Sequence, residues 1–146
     1  MFRKAAFSVV LLLQLLAAPS VAAEYQEGQV WSYGTRAGEE GSRLYIVRID
    51  RELSIRPIFH IYVDGLKLRN PLMEGGLQEH LPHAPVDQET LDASVVELLQ
   101  ADASMPHIGE GYSLWREAFG QGRAGVFTQP VNEIVQHIEN AFNAPK

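Results

Sequence analysis

Three stretches between Gly28 and Asp64 restrict the fold more than any other feature: VWSY, RLYIVRID and IRPIFHIYV, each rich in β-branched or aromatic residues and bounded by glycine-rich or charged turns. Apolar runs of strand length have to pair with one another to be stable. In the third run Phe59, Ile61 and Val63 share one face while Ile58, His60 and Tyr62 share the other, because side chains alternate across a strand. Asp64-Gly65 supplies a turn after it, and the polar stretch GTRAGEEGS (Gly34 to Ser42) is long enough for a hairpin loop. The expectation is a twisted antiparallel meander of three or more strands, one face of which needs a cover.

The cover is encoded downstream. Leu91, Val95, Leu98 and Leu99 recur at helical spacing and predict a helix from Asp87 to about Gln100. Its entrance accounts for EHLPHAPVDQET (Glu79 to Thr90): Asp87 is a good N-cap, Glu89 places negative charge in the first turn, and Val86 can staple onto Leu91. Pro82 and Pro85 hold the incoming chain extended, within a stretch from Asn70 to Pro85 that its glycine pair and prolines mark as a surface loop. Tyr112, Trp115 and Phe119 predict a second helix ending at Gly120 or Gly122, followed by a short strand, GVFT. A last helix, starting near Thr128 to Pro130, sets Val131, Ile134, Val135, Ile138 and Phe142 on one stripe and turns Asn132, Glu133, Gln136 and Glu139 away. The fold class read from this order is α+β, an antiparallel sheet from the first half covered by helices from the second.

The N-terminus sets the expected compartment. Arg3 and Lys4 precede an apolar run from Ala5 to Ala18, Pro19 ends it, and Val21 and Ala23 are the small residues that a signal peptidase requires. Residues 1–23 therefore read as a cleaved bacterial signal peptide, and 24–146 as a single domain in the periplasm or outside the cell. The run is shorter than the roughly 20 apolar residues of a membrane-spanning helix. Cleavage removes Arg3 and Lys4 and no acid, so the net charge of −6 becomes −8, with ten basic residues against 18 acidic ones. A domain this acidic repels phosphate backbones and anionic headgroups, which argues against nucleic acid and membrane-surface partners and toward a basic protein partner. With no cysteine there is neither disulfide nor thiolate ligand nor cysteine nucleophile.

Candidate chemistry is sparse. His80 and His83 are three apart but separated by Pro82, and His60 and His107 lie elsewhere, so a metal site requires all of them to converge; without that, neither a metal nor another cofactor is expected. No GxSxG or HExxH occurs, Ser113 lacks flanking glycines, and GQGRAG (Gly120 to Gly125) has no GK[ST] after it. Glu110 with Glu117, or Asp64 with Glu74, could form carboxylate pairs, but chance pairs are common among so many acids. Trp31, Tyr33 and Arg36, near the first hairpin, are residue types enriched in binding hot spots, and with His60 and His83 they form the candidate binding set.

Four segments, GQVWSYGTRAGEEGSRL, IFHIYVDGLKLRNP, LPHAPVDQETLDASV and WREAFGQGRAGVFTQPVNEIV, are together similar to a group of small bacterial exported proteins without an established activity. That resemblance implies a compact single domain and brings no site residues with it. The function expected is a non-enzymatic binding module recognising a protein partner, of inhibitor or immunity type. The alternative is a small periplasmic enzyme or metal-binding protein using the loop histidines.

Overall fold

A computed structural model describes residues 23–146, and the signal peptide expected over 1–23 lies outside the described residues except for Ala23. The three alternating runs become β1 (Val30–Tyr33), β2 (Leu44–Asp50) and β3 (Ile58–Val63). β4 (Leu68–Arg69) and β5 (Leu77–Gln78) make a separate two-stranded ribbon, and the chain continues through β6 (Leu81–Val86), α1 (Gln88–Ser94), β7 (Val95–Gln100), α2 (Gly109–Gly120) and α3 (Val131–Phe142). The main sheet is antiparallel, in the order β6-β3-β2-β1-β7. The class is α+β, with helices of the second half packed on a sheet that begins in the first.

Alternation in β3 gives the sheet two different faces. Phe59, Ile61 and Val63 join Leu44 and Ile46 of β2, Leu91 of α1 and Val131, Ile134 and Val135 of α3 in one buried cluster. Burying each such side chain is worth about 1.5–3 kcal/mol, so this face holds most of the fold's stability. The opposite face carries His60, against which Tyr112 and Trp115 of α2 pack edge-on. Among the described residues no helix is long and apolar enough to cross a membrane.

Four local expectations change. The helix expected to reach Gln100 ends at Ser94, whose hydroxyl turns inward to bond Thr90 O and to accept from the Val131 N–H at 2.9 Å. Val95 then adopts φ −70°, ψ 147°, and the β-branched pair Val95-Val96 opens an edge strand that pairs with β1. Asn70 to Pro85 is only in part a loop, because Leu81 to Val86 forms β6 against β3; its two prolines are tolerated at a sheet edge. GVFT makes a single parallel bridge, Phe127 to Val86, rather than a strand. Glu139, expected to face solvent, is buried, because it continues the Val131–Val135 stripe one turn further and meets Arg36 there.

The N-cap stands as read. The Asp87 side chain accepts from Thr90 N at 2.8 Å, and Val86 and Leu91 are both fully buried. Replacing Asp87 by Ala is expected to cost about 1 kcal/mol, measured as a shift in the urea midpoint at unchanged slope; an unchanged midpoint would show that the cap is idle.

Candidate functional site

The register of β2 against β3 decides what the second face carries. Ile46 pairs with Ile61, but the next pair is Arg48 with His60, so Val47 is an extra residue in β2. Strict alternation from Ile46 would have turned Arg48 and Asp50 into the apolar core. The inserted residue flips them onto the His60 face, where each then stands opposite a residue of β3.

A hydrogen-bonded chain results. His60, fully buried, places Nε2 3.0 Å from Asp50 Oδ2 and Nδ1 2.9 Å from Nε2 of the half-buried His83 in β6. Asp50 also accepts the Tyr112 hydroxyl at 2.8 Å and Arg48 Nε at 3.0 Å. An ionised carboxylate can only accept, which assigns the proton to His60 Nε2. His60 Nδ1 then accepts from His83 Nε2–H, and His83 Nδ1 keeps its lone pair.

Electrostatics agree with this order. Burial works to raise the Asp50 carboxyl, but the Tyr112 hydroxyl, Arg48 and His60 outweigh it and hold it below its ordinary value. Burial lowers His60 despite the opposing pull of Asp50. Burial, reinforced by repulsion from a charged His60, brings His83 down to about 4. Tyr112 is raised by burial and by its bond to Asp50.

Helix α2 closes over the chain at short range. A Cβ on Gly111 would stand 2.8 Å from the Cβ of His83, so only glycine lets the helix come this close. Trp115 packs on both imidazoles and donates Nε1–H to Gly125 O at 2.8 Å. Outward from Asp50, the Arg48 guanidinium sits 4.4 Å above the Tyr112 ring. Arg48 and Tyr112 form a wall between two cavities of about 400 and 370 Å³, and both residues line each.

Of the five residues singled out from the sequence, the structure brings His60 and His83 together and sets the other three apart. Trp31 and Tyr33 are buried in the main core, their polar atoms bonded to Gln29 at 3.0 Å and Ser42 at 2.7 Å. Arg36 forks onto Glu39 at 2.7 and 2.9 Å and reaches Glu139 at 3.3 Å, fastening the first hairpin loop to α3. Burial works to raise both carboxyls, and Arg36 with the N–H groups of Lys67 and Arg69 holds them below their ordinary values. His80 is exposed against Tyr62, and His107 is exposed near the first turn of α2. Among the described residues no group of three or more acids and histidines is placed to hold a metal ion. Sequence reasoning missed Asp50 and Arg48, which only the bulge brings to this face, and used Tyr112 only as part of the spacing that predicts a helix.

A second candidate surface lies at the far edge of the sheet. Among the described residues β7 is bonded on one side only, to β1, and its Val96, Leu98 and Leu99 are 74%, 40% and 45% exposed. The segment around it, from Asn70 to Trp115, contains eight Asp or Glu and no Lys or Arg. Comparison with protein-family models, curated proteins and solved structures finds no match for this chain.

Two outcomes are expected for the histidine chain. His60→Ala strands buried hydrogen-bonding groups on Asp50 and His83 and should cost about 3 kcal/mol or more in chemical unfolding. The folded state resists protonating His83 until about 4, whereas an unfolded histidine takes up its proton near 6.5. The associated stability is complete above about 6.5 and declines as the pH falls toward about 4, and His60 acts in the same direction. Urea midpoints measured across that window should fall with pH, and His83→Gln should flatten the profile.

Proposed function

We propose that this chain is an exported, non-enzymatic binding module that recognises a protein partner, and that the outer edge of β7 is where the partner docks. The observation carrying the reading is the asymmetry of the two sheet edges. At one edge, β6 contains Pro82 and Pro85, which have no N–H to offer, and bridges to Phe127. At the other, β7 runs for six residues with apolar side chains exposed. A strand left open in this way is a template for an added strand, a recurring mode of peptide recognition.

The surrounding charge supports a basic occupant. Glu97 lies within β7, and Asp92 and Asp102 flank it, all exposed, in a segment without a single compensating cation. A second copy of the chain is a poor fit, since two molecules of the same sign would approach through the same acidic strand. An extended segment alternating apolar and basic residues satisfies the edge, the apolar side chains and the charge together. The exported location rests on the leader read at residues 1–23.

The test is backbone hydrogen exchange of the purified chain with two synthetic peptides, one alternating Lys with Val and one alternating Glu with Val. The basic peptide should slow exchange across Val95 to Gln100, the acidic one should not, and Leu98→Lys should abolish the protection. Equal protection by both peptides, protection confined to other strands, or a dimer already covering β7 in sedimentation would each overturn the reading.

A further inference from the structure

The sheet face opposite the main core carries a second feature, independent of β7. A cavity of about 370 Å³ beside the histidine chain is lined by Arg48, Asp50, Arg51, Glu52, Tyr112 and Arg116, with Leu53 supplying apolar surface. Its size falls at the lower end of small-molecule sites. Its polar groups divide into those already committed and those still free.

Asp50 is committed, because its carboxylate accepts from His60, Tyr112 and Arg48. Arg48 gives Nε to Asp50 and, among the described residues, has no bond from its two terminal nitrogens. Arg51 and Arg116 take part in no ion pair among the described residues, and the same holds for Glu52. The Arg48–Asp50 pair cancels, and Arg51 offsets Glu52. One guanidinium charge is left over, in a protein that is acidic as a whole.

We propose that this cavity binds a small monocarboxylate with an apolar body, its carboxylate held by Arg116 and Arg51 and its body laid against Tyr112 and Leu53. A planar fork of N–H donors matches a carboxylate, and one surplus positive charge matches one negative charge. The histidine chain is what makes the site rigid. Tyr112 is fixed through its hydroxyl to Asp50, Asp50 through His60, and His60 through His83, so one wall of the cavity is anchored three residues deep. A wall held before the ligand arrives loses little entropy on binding.

The experiment is an NMR titration with benzoate as the probe, its neutral isostere benzamide and inorganic phosphate as comparators, at constant ionic strength. Benzoate should bind saturably with shifts at Tyr112 and the arginine side chains, and benzamide should bind at least about tenfold more weakly. Arg116→Ala and Arg51→Ala should each weaken benzoate by about tenfold, and Glu52→Gln, which removes the competing carboxylate, should tighten it. All three side chains are exposed, so these variants are expected to fold. Benzamide binding as tightly as benzoate, phosphate binding more tightly than either, or affinity unchanged in Arg116→Ala would overturn the proposal, and none of these outcomes bears on β7.

Discussion

A neutral imidazole buried on both sides needs an acceptor at one nitrogen and a donor at the other, and His60 obtains them from Asp50 and His83. Much of the second half of the molecule is arranged around that requirement. The extra residue at Val47 brings Asp50 to the correct face, and the pairing of β6 with β3 brings His83. Gly111 then lets α2 descend far enough for Tyr112 to reach the carboxylate. Four separate elements therefore converge on one ring, and none of them can slip in register without leaving a buried polar atom unbonded. Such a network adds less to net stability than an apolar contact of the same size, because its members had to be desolvated. Its effect is to single out one arrangement of α2 on the sheet among the many that apolar packing alone would tolerate.

A second polar cluster solves a different problem. Arg36 lies between Glu39 and Glu139, while Glu39 also accepts from Lys67 N at 2.6 Å and Glu139 from Arg69 N at 2.8 Å. The long loop after β1 is thereby tied to the ribbon strand β4 and to α3. Trp31 and Tyr33, at the foot of that loop, stay in the core with their polar atoms bonded. The loop is consequently an integral part of the packing, and the recognition surfaces proposed for the molecule lie elsewhere.

Legibility from sequence followed the range of the interactions. β1 to β3 and α3 were visible because period-2 and period-3.6 patterns are local, and Asp87 was recognisable because an N-cap acts over three residues. The stretch after Ser94 was misread because Leu91, Val95, Leu98 and Leu99 also satisfy a helical period; pairing with β1, some 65 residues earlier, decides it. β6 was hidden by its prolines, which forbid a central strand and permit an edge. At Asp50 and Arg48 the alternation itself misled, since a bulge reverses which side of the strand faces the core and leaves no composition signal. The histidine pair was legible as residues and illegible as a chain, for the partner that orients it comes from β2.

The unequal edges of the sheet also govern stoichiometry. A β-sheet open at both ends can be extended indefinitely, each added strand presenting a fresh edge to the next. Here extension in one direction is stopped by Pro82, Pro85 and the Phe127 bridge. Among the described residues each molecule therefore has a single edge, β7, at which a strand can be added, and direct stacking of these molecules sheet to sheet stops at a pair. The prolines thus act as chain terminators, keeping an exposed apolar edge compatible with a high local concentration of the protein.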